Sequence, residues 1–320
     1  MSARILSEAE LRKVVGINDA AFAAVEDAFS CLQQGDVNMP PIMHISAEDN
    51  NGDIDVKSAY VKGMPYIAIK IASGFYDNPS RGLPSGSAMM VLLDAETGFC
   101  EAVLLDNSYL TDLRTGLAGA VAAKYLAPTH VDTVGVIGTG VQARYQVECL
   151  ALQRSLKKVI VWGRSEDKAR VYAEEMAQRH ELDVELATSP DAVVQQSQVV
   201  ITATASTQPL VSAAALHEGL HITAVGADFP GKQELAAEIL TRADMLVCDR
   251  LAQCQVNGEI QHVVAGEQLP AGLDIIELGE LTTGQRNGRQ TDRDITVCDL
   301  TGTGVQDTAI ANLAYRAARA

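Results

Sequence analysis

The sequence predicts an α/β protein in which a doubly wound parallel sheet is joined to a second, mixed α+β domain. Three observations carry this. From Val131 onward, short apolar runs alternate with amphipathic helical stretches, the pattern of parallel strands and their crossover helices. From residue 39 to 106 the chain is instead a series of short segments separated by turn residues, which reads as a mainly antiparallel sheet. At 320 residues it also exceeds one ordinary core, so two domains, or one large one with an insertion, are expected.

The elements follow in order. Residues 1–35 read as helix: Ser7 can cap a first turn holding Glu8 and Glu10, and Phe22, Val25, Phe29 and Leu32 keep helical spacing up to Gly35. Strands are expected at 56–61, 66–71, 88–93 and 101–105, between turn signals such as Asn50-Asn51-Gly52-Asp53 and Asp77-Asn78-Pro79. A helix over about 111–126 is capped by Thr111 and stopped before Pro128, with Leu113, Leu117, Val121 and Tyr125 on one face. Parallel strands are expected at 133–137, 159–162, 199–203, 221–225, 245–248 and 295–298, with helices at 141–155 and 166–178. A last helix, 308–320, can return to the first domain. The domains are therefore placed at 1–127, completed by 306–320, and at 128–305.

Composition limits the function. With 47 % hydrophobic and 21 % charged residues, 25 glycines and 10 prolines, the chain is neither disordered, collagen-like nor coiled-coil. Its formal charge of −16 repels phosphate backbones, so nucleic-acid binding is not expected, and an anionic ligand needs a few locally focused cations. The six cysteines, at 31, 100, 149, 248, 254 and 298, include no pair two residues apart, so neither a zinc knuckle nor a thioredoxin-like pair is expected, and no metal site. Most sit in apolar runs and read as buried free thiols, which suits a reducing cytosol. Charges appear too early for a secretory signal, and no apolar run approaches the ~18–20 residues needed to cross a bilayer. A soluble, cytoplasmic protein is expected.

Thr133-Val134-Gly135-Val136-Ile137-Gly138-Thr139-Gly140-Val141-Gln142-Ala143 follows a dinucleotide fingerprint at the end of a buried strand and the start of a helix. Gly138 permits the tight turn, Gly140 lets backbone approach a pyrophosphate, and Ala143 takes the small position where helix packs on strand. The N–H groups at the helix start, around Thr139, Val141 and Gln142, then face the phosphates. After the second strand, Gly163 stands where an NAD-selective site usually carries a carboxylate, and Arg164 and Ser165 can take a 2′-phosphate. NADP(H) is favoured, while Glu166 and Asp167 leave NAD(H) open.

Asp228 lies just past the strand at 221–225, in Gly226-Ala227-Asp228-Phe229-Pro230-Gly231-Lys232-Gln233-Glu234-Leu235. At the carboxyl end of a parallel strand a carboxylate can hold a substrate amine and move its proton while hydride moves at the adjoining carbon. It can equally be a helix N-cap or a turn acid. Lys70, alone in the apolar run Tyr66-Ile67-Ala68-Ile69-Lys70-Ile71-Ala72, either reaches the surface or meets an anion. Arg114, early in its helix, is a second anion clamp or a structural charge. Thr301-Gly302-Thr303-Gly304-Val305-Gln306-Asp307 can border a cofactor through Gly304, or be an ordinary helix start with Asp307 in the first turn.

With Tyr109-Leu110-Thr111-Asp112-Leu113-Arg114-Thr115, the three segments at 138–143, 226–235 and 301–307 resemble the ornithine cyclodeaminase/mu-crystallin family over nearly the whole chain. The resemblance implies a homodimer with a substrate-binding and dimerisation domain followed by a Rossmann domain. It makes Asp228 the catalytic aspartate, Lys70 and Arg114 the ligands of a substrate carboxylate, and Thr115 and Gly304 neighbours of the cofactor. Gly163-Arg164-Ser165 is similar to the stretch by which the mu-crystallin branch accepts NADPH. An arginine found in other members is replaced around Ile42-Met43-His44, a substrate-contacting glutamate is matched only loosely by Asp55, and Lys57 stands where many members carry methionine. An extra cation discourages a diamino acid such as ornithine, so the chain looks closer to ectoine-utilisation and iminosuccinate-reductase-like branches. The reading is hydride transfer at the α-carbon of a small amino or imino acid, as imine reductase or amino acid dehydrogenase. The alternatives are a cyclodeaminase acting on an α,ω-diamino acid and a non-catalytic NADP-dependent ligand-binding protein. A redox-sensing regulator has no basic helix to work with.

Overall fold

A computed structural model describes residues 3–265 and 273–320. One unit holds the chain up to Arg114 together with Thr303–Ala320, and the other is Thr115–Gly302. The division falls inside the helix Tyr109–Leu126 and after Gly302, where the sequence reading put it at 127/128 and 305/306.

In the first unit Gly52–Val61, Tyr66–Phe75, Gly86–Asp94 and Cys100–Leu105 are successive antiparallel neighbours. Val37–Asn38 and Met43–Ala47 pair with the first of them. The helix expected over 1–35 is corrected to a strand, Arg4–Ser7, parallel to Cys100–Leu105, then helices Glu8–Val14 and Asp19–Gln34. Residues 1 and 2 lie outside the described residues. The helix begins only where Ser7 can cap it, its N–H and hydroxyl both reaching Glu10 Oε2 at 2.8 and 2.6 Å. Gly35, at φ 81°, ends the second helix.

Alternation along these strands separates two faces. Lys57, Ala59, Val61, Ala68, Lys70, Met90 and Leu92 are buried, and the strands Gly52–Val61 and Tyr66–Phe75 pack on the helix Gly304–Arg319. Ile54, Val56, Ile67, Ile69, Ile71, Met89 and Val91 face the other way and are half-buried. Polar ties fix the helix on the sheet. Asn312 donates to the Tyr66 carbonyl at 2.8 Å and accepts its N–H at 3.2 Å, and Thr308 donates to the Ala59 carbonyl at 2.9 Å. At the helix start a Cβ on Gly304 would lie 2.5 Å from the Ser58 carbonyl oxygen, so only glycine lets helix and strand come so close.

The second unit contains, among the described residues, an eight-stranded parallel sheet and a separate parallel pair, Thr207–Val211 with Gln233–Leu235. In the larger sheet every neighbouring pair is parallel, and the order is Asp183–Leu186, Lys158–Trp162, Thr133–Ile137, Val199–Thr202, His221–Ala224, Thr296–Asp299, Met245–Cys248, Ile275–Glu277. Strand order reverses between Thr133–Ile137 and Val199–Thr202, the switch point at which open α/β sheets form a ligand crevice. Both faces are covered: Val134, Val136, Val161 and Ile201 belong to one apolar cluster, Ile137, Ile160, Val200 and Ile222 to another. Burial on both sides is why these strands read as continuous apolar runs.

Candidate active site

The fingerprint turn has the geometry its glycines predict. Gly138 sits at φ 121°, and a Cβ there would lie 2.5 Å from the Ala203 carbonyl oxygen. Gly140 caps the helix Val141–Leu150, and nothing lies within 4 Å of where its Cβ would be, so backbone is open to a ligand. Arg144 Nη1 donates to the carbonyls of Thr139 and Gly140 at 2.9 and 3.0 Å, while its Nε and Nη2 reach Glu175 at 2.8 and 2.6 Å. With those carbonyls engaged, the amides of the first helical turn at Val141 and Gln142 are what the loop presents. These residues fit a bound pyrophosphate. Ala143 is buried, its carbonyl accepting from the Tyr172 hydroxyl at 3.0 Å, and the Thr115 carbonyl accepts from Gln146 at 2.9 Å.

At the end of Lys158–Trp162, a Cβ on Gly163 would lie 2.7 Å from Thr139 Cγ2, so a side chain there would require Thr139 to shift. Arg164 and Ser165 are exposed, Ser165 capping the helix Glu166–His180, and Glu166 pairs with Arg170 at 2.9 Å.

Asp228 occupies the turn between His221–Ala224 and the short strand Gln233–Leu235. No helix starts after it, which removes the N-cap reading. Its carboxylate is exposed and lies 2.6 Å from Lys232 Nζ. Lys232 was not singled out by sequence reasoning, although its spacing from the aspartate was the available signal.

The first unit concentrates charge on the buried sheet face. Lys57 and Lys70 are cross-strand partners. Lys70 is 2 % exposed and lies 2.8 Å from Asp307 Oδ2, while Arg114 Nε lies 2.9 Å from Asp307 Oδ1 and its Nη1 donates to Gln306 at 3.1 Å. The anion that Lys70 and Arg114 meet is thus a fully buried carboxylate in the first turn of the last helix. Burial alone pushes Asp307 up, but Arg114 and Lys70, with Lys57 nearby, hold its carboxyl below the usual range. Burial draws the Lys70 ammonium down to about 7, opposed by Asp307 and reinforced by Arg114 and Lys57. Removing Asp307 alone would strand two buried cations, a loss of about 3–5 kcal/mol.

Three cations around Asp307 leave a surplus of positive charge, which suits a carboxylate ligand. Asp106 sits near them, pushed up to about 6 by burial, its Oδ2 accepting the Leu110 N–H at 2.9 Å. Asp106 therefore caps the helix Tyr109–Leu126, and Thr111, expected in that role, lies within its first turn. Asp55, two residues before Lys57 on the same face, lies 2.8 Å from His44 Nδ1. Gly304 packs against Ser58.

The profile of the ornithine cyclodeaminase/mu-crystallin family matches residues 2–320. An uncharacterised cyclodeaminase of Sinorhizobium fredii is 42 % identical over 316 residues, covering 98 % of this chain and 96 % of that protein. An archaeal alanine dehydrogenase dimer with bound NAD superposes with a TM-score of 0.92 at 36 % identity, over 100 % of this chain and 97 % of that one. Delta(1)-pyrroline-2-carboxylate reductase of Thermococcus litoralis, solved with NADH and L-proline, gives a TM-score of 0.94 at 30 % identity, over 99 % and 97 %. Among the described residues, no helix is long and apolar enough to cross a membrane.

Proposed function

The chain belongs to the ornithine cyclodeaminase/mu-crystallin family, and we propose that it transfers hydride between a nicotinamide dinucleotide and the α-carbon of a small amino or imino acid, in the direction of imine reduction. One observation carries the reading: three cations, Lys57, Lys70 and Arg114, gather about the buried carboxylate of Asp307 and outnumber it and its buried neighbour Asp106. Lys70 and Arg114 hold the substrate carboxylate, spaced by Asp307. Asp228, oriented by Lys232 and open to solvent, takes up a proton from water and passes it to the imine nitrogen. The dinucleotide, when bound, supplies the hydride for the carbon. Lys57 takes a second acidic group, and the engagement of Asp55 by His44 leaves little for a terminal ammonium. Both favour an acidic imino acid over an α,ω-diamino acid.

The finer readings have their own support. NADP(H) is preferred over NAD(H), supported by the crowding at Gly163 and the exposed Arg164 and Ser165, with Thr115 and Gly138 to Ala143 along the rest of the cofactor. The chain works as a homodimer, supported by the half-buried apolar sheet face of the first unit and by the dimer of its archaeal relative. A reducing cytoplasm suits its six free cysteines, four of them buried.

The test mixes the protein with reduced cofactor and a panel of α-imino and α,ω-diamino acids. The expected result is loss of reduced-cofactor absorbance, one for one with amine product. Asp228→Asn should lower turnover by about three orders of magnitude or more and leave cofactor affinity within a few-fold. A cyclodeaminase, the activity named for the Sinorhizobium relative, would release ammonia at constant absorbance. Turnover that survives Asp228→Asn would sink the assigned role.

A further inference from the structure

Glu234 ends the motif that carries Asp228, and the reaction as proposed does not use it. Its side chain is fully buried, yet it is held by neutral groups. Oε1 accepts the Thr204 N–H at 2.6 Å, and Oε2 accepts the Gly226 N–H at 2.9 Å and the Thr202 hydroxyl at 2.7 Å. Thr204 lies in the loop after Val199–Thr202 and Gly226 in the loop after His221–Ala224. One carboxylate thus ties the carboxyl ends of two adjacent strands. The fit is close: a Cβ on Gly226 would lie 2.5 Å from Glu234 Oε2 and would also meet the Thr204 carbonyl oxygen.

Glu234 is itself anchored. Glu259 accepts the N–H groups of Glu234 and Leu235 at 2.7 and 3.2 Å, and Asp299 accepts that of Ile260 at 3.0 Å. Burying a carboxylate without a cation is costly, and a glutamine of the same shape cannot accept from both amides and the hydroxyl at once. Such an expensive acceptor makes sense where loop geometry matters more than stability. Asp228 follows Gly226 by two residues.

We propose that Glu234 is a positioning residue for hydride transfer, its carboxylate fixing the 226–228 loop and thereby the aim of Asp228; this rests on the function proposed above. Burial pushes its carboxyl up to about 7, against the bonds from Thr202, Thr204 and Gly226. The charged groups around it are the buried acids Glu259 and Asp299 and, on the loop itself, the Asp228–Lys232 pair. Once protonated, the acid loses one of its acceptors, so the loop loosens as pH falls through that value.

The experiment compares full-length wild type with Glu234→Gln and the milder Thr202→Val by amide hydrogen exchange and by steady-state rates across pH. Glu234→Gln should speed exchange at Thr204 and Gly226, and lower kcat about ten- to a hundredfold with cofactor affinity within a few-fold. It should also abolish the fall of wild-type kcat below about pH 7. Thr202→Val, which leaves both amide bonds in place but removes a bond that favours the carboxylate, should speed exchange and lower kcat to a smaller degree and move the fall of kcat to higher pH, and it decides the question if Glu234→Gln does not fold. Unchanged exchange in the variants, or faster exchange with unchanged kcat and pH profile, overturns the proposal. A wild type that reduces no imino acid defeats the function proposed above, and the exchange result then still decides whether the tie exists.

Discussion

Lys70 shows what one residue in a sequence can and cannot disclose. A lysine alone in an apolar strand either reaches the surface or meets an anion, and that choice was legible. The identity of the anion was not, because Asp307 comes from the far end of the chain and looks there like an ordinary first-turn acid. The same holds for Arg114, whose helix position suggested a clamp without naming what it grips. Asp228 was legible as a residue at a strand end, whereas its lysine partner showed only in a four-residue spacing. The titration of Lys70 has a functional consequence. Its ammonium is drawn down to about 7 by burial, so above that pH the free protein loses one of the two cations proposed to hold the substrate carboxylate. kcat/KM for the imino acid should then fall about tenfold per unit as pH rises beyond that value. In Lys70→Arg the guanidinium stays charged and this fall should disappear. Initial rates between pH 6 and 9 check it; parallel declines in both proteins would exclude Lys70 as the titrating group.

At the scale of elements, the strands of the parallel sheet were legible because burial on both faces makes them unbroken apolar runs, as at Thr133–Ile137 and Met245–Cys248. Edge strands were missed for the opposite reason: Asp183–Leu186 is polar, and Arg4–Ser7 is too short to show a period against the helices that follow. The loops at the carboxyl ends of the sheet were invisible as a group, since what joins them is a set of carboxylates spent on backbone N–H groups. Asp299, on Thr296–Asp299, is one of these, and burial pushes its carboxyl up to about 7. A carboxyl whose folded value lies above its unfolded value binds its proton more tightly when folded. Its contribution is complete below the unfolded value and is lost as pH rises through about 7. Asp299→Asn should therefore shrink the drop in melting temperature between pH 6 and pH 8, by about 2 °C or more. An unchanged drop in thermal scans at the two pH values would show that Asp299 is not a source of it.

At the scale of the molecule, both sheets were legible from periodicity, and the family from four short motifs in order. The apolar outer face of the antiparallel sheet was not, because alternation there separates one apolar set from another that also carries lysines. Ile69, between Ser58 and Val91 on neighbouring strands, lies on that face. Ile69→Glu should convert a dimer to monomers at micromolar concentration in light scattering, with the fold kept; a wild type that is already monomeric would refute the dimer. The reaction itself is tested most directly with reduced cofactor carrying deuterium at the transferable position of its nicotinamide. Hydride transfer to the imine carbon places one deuterium at the α-carbon of each amino acid produced. Product without label, as when a substrate's own hydrogen is removed and returned, would contradict it.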